Sequence, residues 1–304
     1  MKSKPMCWFW LGIFGLFIAF GSSTATAQDV RDLFENQETL SESVLVIQGS
    51  TGEVGSDMAD PRIERVGRGG AEAIRLPFER RAGAILVKAR VQERDVYFMV
   101  DTGATFTTLT TSFAREAGIS PRAQNPTTVV RTANGNIATQ FGIIANLELG
   151  DRRHSRVSFI ICDSCGDERI EGRPLVGVLG LNVLRRYRVS IDDTAGVVEL
   201  ASQQGFANQR HDIEPWLMVA ATQGVVNIER HRSEIRWILH TRNLSVHDVR
   251  ELEVALSCQL ANGEQYSERV RVAQVAANKS RETTIVKPPL ECLGMEAHVE
   301  AASW

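Results

Sequence analysis

Apolar and polar positions alternate with short periods along most of this chain. Val96-Tyr97-Phe98-Met99-Val100 is an unbroken apolar run, the mark of a strand buried on both faces, and it stops at Asp101-Thr102-Gly103-Ala104, a tight loop. About eighty positions later, Val176-Gly177-Val178-Leu179-Gly180-Leu181-Asn182-Val183-Leu184 gives an apolar-apolar-Gly step leading into Asn and further apolar residues. Between them, Val130 to Thr139 reads as strand, Asn134-Gly135 turn and strand. Tyr187 to Leu200 reads as two alternating strands about an acidic, Gly-containing turn, with Asp192 and Asp193 as turn residues. Beyond His211, residues 233–241, 250–260, 265–273 and 281–287 read as strands, with Leu252, Val254, Leu256, Cys258 and Leu260 on one face. No long amphipathic helix interrupts them, and polar turns such as Ala261-Asn262-Gly263-Glu264 separate them.

A carboxylate at a strand end can act as general base on a water, provided a second acid nearby holds the proton that must be returned. In isolation the Asp-Thr-Gly tripeptide also fits a turn in which Asp caps a backbone N–H and Gly supplies a positive φ. Its context narrows the choice. The Asp-Thr-Gly-Ala loop, the flap-like hairpin, the apolar-apolar-Gly turn and the acidic closing hairpin occur in an order that resembles the single-lobed, retroviral-type (retropepsin-like) aspartic peptidases. The resemblance spans roughly residues 71–202.

This resemblance implies a closed, barrel-like acid protease lobe in which Asp101 is catalytic and Thr102, Gly103 and Ala104 shape its loop. Ala133, Asn134, Gly135 and Asn136 would form the flap over a peptide substrate, and Gly180 with Asn182 would buttress the loop from beneath. The Thr102 hydroxyl would bond across to a partner loop. Two features depart from the family pattern: many relatives carry Arg where this chain has Leu181, and the flap tip has no aromatic residue. The rest of the chain contains no second Asp-Thr-Gly or Asp-Ser-Gly. Asp193-Thr194-Ala195-Gly196 comes nearest, but Ala stands at the glycine position. One motif per chain implies a homodimer, with Asp101 of each copy at the two-fold axis.

The N-terminus reads as a secretory signal. Lys2 and Lys4 precede an apolar stretch from Met6 to Phe20, and Ala25-Thr26-Ala27 offers an A-x-A cleavage site. Export to a periplasm or medium is the expectation, with a retained membrane anchor as the alternative. Loss of that peptide moves the formal charge from −3 to −5, which gives no footprint for nucleic acid. The four cysteines that remain suit an oxidising compartment. Cys162-Asp163-Ser164-Cys165 admits a redox reading, but loop-forming residues flank it; a Cys162–Cys165 bridge and a Cys258–Cys292 bridge are expected instead. No metal-ligand spacing and no cofactor motif is present, and the six histidines are scattered.

The expected organisation is therefore a mainly β chain: signal 1–27, a leader or linker 28–70 around the β-prone Val44-Leu45-Val46-Ile47, a protease lobe 71–203, and a small immunoglobulin-like β-sandwich 210–304. The sandwich shows no catalytic constellation and would position the lobe or recruit a protein partner. Asn243 and Asn278 head formal glycosylation sequons and receive no role. The expected function is aspartic endopeptidase. The competing class is an exported, non-catalytic module that binds extended peptides through a degenerate lobe.

Overall fold

A computed structural model describes residues 63–65, 73–132, 135–166, 168–202, 209–229, 232–260, 262–285, 292 and 294–304. The signal and nearly all of the 28–70 leader lie outside these residues, as do Ala133 and Asn134 at the expected flap tip.

The chain is mainly β. In order, the strands are β1 (Ile63–Arg65), β2 (Ala73–Arg81), β3 (Ala84–Val91), β4 (Arg94–Val100), β5 (Thr107–Leu109), β6 (Thr127–Thr132), β7 (Gly135–Leu149), β8 (Arg152–Ile161), β9 (Glu168–Ile170), β10 (Arg173–Leu179), β11 (Tyr187–Asp192) and β12 (Val197–Ser202). They are followed by β13 (Leu217–Glu229), β14 (Arg232–Asn243), β15 (Val249–Gln259), β16 (Gln265–Val275), β17 (Ser280–Thr284) and β18 (Glu296–Ser303). Among the described residues, short α-helices punctuate them: α1 (Thr111–Glu116), α2 (Leu181–Leu184) and α3 (Arg210–Ile213).

β1 to β12 make one highly branched sheet, ordered β1-β8-β7-β3-β2-β12-β11, with β4 bridging β3 and β10. Two pairings in it are parallel, β4 with β10 and β5 with β8. The apolar run expected to be a doubly buried strand is β4, in which Val96, Tyr97 and Phe98 are all buried. Phe98 joins Leu109, Phe159, Leu179 and Leu184 in one core cluster, while Tyr97 faces a second with Leu86 and Ile170. Both faces are thus covered, which is why the sequence shows a continuous run there rather than alternation. The hairpin read around the acidic turn is β11–β12, with Ala195 N donating to Asp192 Oδ1 at 2.9 Å inside the turn.

The C-terminal strands form two three-stranded antiparallel sheets, β13-β14-β17 and β16-β15-β18. β15 buries Leu252, Val254, Leu256 and Cys258, the face that the alternation marks. Two strands were not read from the sequence. β13 pairs along its whole length with β14, and β18 flanks β15 with a polar-alternating sequence. The strand expected at 281–287 runs instead from Ser280 to Thr284. Both expected disulfides form, with Cα–Cα separations of 5.3 Å for Cys162–Cys165 and 5.9 Å for Cys258–Cys292.

The apolar cluster of the C-terminal sheets does not stop at the expected boundary. It contains Trp216, Trp237, Leu239, Leu252 and Val254 together with Phe106 of the Asp101 loop and Phe141 and Ile160 of the N-terminal sheet. The phenyl ring of Phe141 stands edge-on to Phe106 at 4.9 Å and to Trp216 at 6.5 Å between centroids.

Candidate active site

β4 ends at Val100 and delivers Asp101, half-buried, to a loop whose next two residues, Thr102 and Gly103, are exposed. The loop is closed locally. Gly103 N donates to Asp101 Oδ1 at 2.7 Å, and Ala104 N donates to Asp101 O at 3.4 Å. Gly103 does not take a positive φ, so the turn uses its small size and not a left-handed backbone. Among the described residues, the other carboxylate oxygen of Asp101 accepts no hydrogen bond, and Asp101 enters no ion pair.

The second motif closes on the first. β10 runs parallel to β4 and places Leu179 O 3.3 Å from the Asp101 amide that donates to it. Leu181 N then donates to Ala104 O at 2.8 Å, and Asn182 N donates to Thr105 O at 3.1 Å. The two glycines permit this approach. A Cβ on Gly180 would lie 2.3 Å from the carbonyl carbon of Phe106, and one on Gly177 would lie 2.0 Å from Thr108 O. On the other side of the crossing, Thr108 Oγ1 accepts from Val178 N at 2.9 Å.

Asn182 sits under the loop, 3% exposed, with every polar atom engaged. Its Oδ1 accepts from Thr107 N at 2.8 Å and from Thr107 Oγ1 at 3.0 Å. Its Nδ2 donates to Ser158 O at 2.7 Å and to Asp212 Oδ1 at 2.8 Å. Asn182 is thus a buried amide linking β5, β8 and α3. A buried polar group left without partners costs about 1–3 kcal/mol, so a four-bonded amide pins all three elements.

Asp212 was not foreseen. It is fully buried on α3, and its carboxylate is gripped by Arg186, Asn182 and Ser158 N, the last at 2.9 Å. Burial pushes the Asp212 carboxyl upward against the downward pull of Arg186. A buried ion pair, Arg186 with Asp212, therefore adjoins the Asn182 amide. Ser158 Oγ donates to Asp212 O and accepts from Trp216 Nε1 at 2.8 Å.

The hairpin expected to cover a substrate is β6–β7, paired Val129 to Ala138, Val130 to Ile137 and Thr132 to Gly135. Asn136, Ile137 and Ala138 are exposed along one arm. Of the four flap residues named from the sequence, Ala133 and Asn134 fall outside the described residues.

The cysteine pair brackets a single 3-10 turn, Asp163–Cys165, with Cys162 at its N-cap. Cys162–Cys165 closes a short loop, from which Asp163 accepts from Thr111 N at 2.7 Å and Thr111 Oγ1 at 3.1 Å, ordering the first turn of α1. The histidines are structural where they are buried. His154 donates from Nδ1 to Leu147 O and accepts from Tyr187 Oη at 2.6 Å, and burial lowers its pKa to about 3. His211 accepts from Arg185 at 3.0 Å and, half-buried beside three arginines, is lowered to about 4.

A cavity of about 250 Å³ lies at the far end of β4 from Asp101, against Lys88, Arg90, Asp95, Glu148 and Arg173. Its charges answer one another: Arg90 pairs with Asp95 and Glu148, and Lys88 pairs with Glu171. Nothing in it is placed to perform chemistry.

Residues 87–183 match the family model described as aspartyl protease. That stretch contains both the Asp101 loop and the Gly180 turn, and it bears out the retropepsin-like resemblance read from them. A crystal structure of a retropepsin-like aspartic protease from Rickettsia conorii is 23% identical, with a TM-score of 0.32, over 42% of this chain and 89% of that one. No curated protein matches the chain.

Proposed function

We propose that this protein is an aspartic endopeptidase whose site is completed by a second copy of itself. One observation carries the reading. A half-buried carboxylate stands at the end of a strand buried at its centre, Val96 to Phe98, free of any ion pair among the described residues, in a loop clamped by a glycine turn and a buried asparagine. A structural aspartate would be consumed by its neighbours, as Asp212 is.

Two Asp101 carboxylates sharing one water cannot both ionise cheaply, so the pair holds a single proton between them, the behaviour for which aspartic proteases are known. The ionised member takes a proton from water as its oxygen attacks the peptide carbonyl, and the protonated member donates to the carbonyl oxygen. The tetrahedral gem-diol collapses with cleavage of the C–N bond: the carboxyl that took the water proton gives it to the leaving nitrogen, and a gem-diol hydroxyl returns a proton to the other carboxylate as the C=O re-forms. Thr102 and Gly103, exposed in the single chain, would meet the partner loop. The peptide would lie extended under the β6–β7 hairpin, hydrogen-bonding as an added strand. Export by the N-terminal signal, and division into a lobe at 71–203 and a C-terminal domain at 210–304, belong to the same proposal.

The test is peptide cleavage by the purified mature chain, with and without pepstatin, beside Asp101→Asn. Asn keeps an oxygen for the Gly103 amide, so the variant is expected to fold and to lose about a thousandfold or more in kcat. Equal cleavage by both proteins would overturn the mechanism. Silence from both across acidic and neutral pH would move the assignment to a peptide-binding module.

A further inference from the structure

Resting on that reading, we infer that Asp212 is a positioning residue for the Asp101 loop, so that the segment after the protease lobe is part of the catalytic apparatus. The connection is continuous and short. Asp212 Oδ1 accepts from Asn182 Nδ2 at 2.8 Å, Asn182 Oδ1 accepts from Thr107 N at 2.8 Å, and Asn182 N donates to Thr105 O at 3.1 Å. Leu181, one residue earlier, holds Ala104 O at 2.8 Å. Two hydrogen bonds in series, Asp212 to Asn182 and Asn182 to Thr105, therefore separate Asp212 from the loop that presents Asp101.

The carboxylate does something that a neutral side chain at this position could not. It accepts from an amide nitrogen on one oxygen while Arg186 donates to the other, and so fixes which end of the Asn182 amide faces Thr107. With its nitrogen held by Asp212 and Ser158 O, the amide must turn its oxygen toward β5. Flipping it would set Nδ2 against the Thr107 N–H, donor against donor. The rest of the segment is anchored to the same floor: Trp216 bonds Ser158 Oγ and stacks edge-on against Phe141, which touches Phe106 at the end of the loop. A general base must keep its carboxylate within hydrogen-bond reach of the water, and misplacement by about 1 Å costs on the order of a hundredfold in rate.

The experiment compares the full mature chain with Asp212→Asn, with Asp212→Asn/Arg186→Gln, and with Val254→Ala. The double variant removes the buried cation together with the anion, and it stands in if the single variant does not fold. Val254 is buried in β15, in the sheet β16-β15-β18 that pairs with none of the strands around the loop, and serves as the control for loss of a buried C-terminal side chain. Hydrogen–deuterium exchange of residues 101–107 is read alongside kcat and KM at a temperature where far-UV circular dichroism shows each protein folded. Either Asp212 variant is expected to speed exchange of these amides by about tenfold and to lower kcat by about tenfold or more, with KM within about twofold. Val254→Ala is expected to change neither. If the Asp212 variants match Val254→Ala in both readouts, the inference is wrong and Asp212 is only a structural anchor. If the wild-type chain shows no cleavage that Asp101→Asn abolishes, the proposed function fails, while exchange in 101–107 still decides the role of Asp212.

Discussion

Gly180 lies against the backbone of Phe106 with no room for a side chain: a Cβ would stand 2.3 Å from the Phe106 carbonyl carbon and 2.7 Å from Thr107 N. The obstacle is backbone on both sides, so it cannot swing away as a flexible side chain could. Gly180→Ala is therefore expected to force the two loops apart, costing about 1–3 kcal/mol in urea unfolding. Activity should fall further than folding, because the displaced strand end carries Asp101.

Acid should destabilise the fold through His154. Its folded pKa of about 3 lies below the ordinary 6.5, because burial and the cations of Arg186 and Arg152 oppose a charge on the ring. Between these two values the unfolded chain binds a proton that the folded chain refuses. Stability is thus fully present above about pH 6.5 and is lost as pH falls toward about 3, at up to about 1.4 kcal/mol per pH unit. His154→Gln, which can donate to Leu147 O and accept from Tyr187, should flatten that slope by close to one proton in denaturant titrations between pH 6 and pH 4. His211, lowered to about 4, continues to titrate there, so part of the slope should remain.

The two disulfides should differ in weight. Cys258–Cys292 closes a loop of sequence separation 34, and Cys162–Cys165 one of 3. Chain-entropy arguments give about 3–4 kcal/mol for the first and under about 2 kcal/mol for the second. Replacing each pair by serines and measuring thermal unfolding checks the order. Cleavage should survive loss of Cys162–Cys165, and its disappearance in a still-folded protein would revive the thiol reading.

If two copies share one site, mixing tells. Adding excess Asp101→Asn chain to a fixed amount of wild type should lower activity, as mixed pairs with one carboxylate replace active pairs. Specific activity should also fall on dilution below the dissociation constant. Additive, concentration-independent activity would place a whole site in one chain.

The parts of this architecture governed by local pattern were legible beforehand. The unbroken Val96–Val100 run announced a doubly covered strand, Gly180 and Asn182 were picked out by their motif, and both cysteine pairs were matched. Long-range geometry was not legible. Asp212 sits in His211-Asp212-Ile213-Glu214, an ordinary polar-apolar stretch, and only folding brings it under Asn182, 30 residues away. The Arg186–Asp212 ion pair, whose partners lie 26 residues apart in sequence, was hidden for the same reason. β13 was missed because Gly224 interrupts it, and β18 because Glu296, His298 and Glu300 alternate with Ala297, Val299 and Ala301, which give little apolar signal.

The apolar cluster that runs from Phe106, Phe141 and Ile160 into Trp216 and the C-terminal sheets has a practical consequence. Severing the chain between β12 and α3 would strand three large side chains in water and part the Arg186 cation from Asp212. An excised lobe is expected to clump, and a free-standing minimal enzyme would have to be built by redesigning that seam.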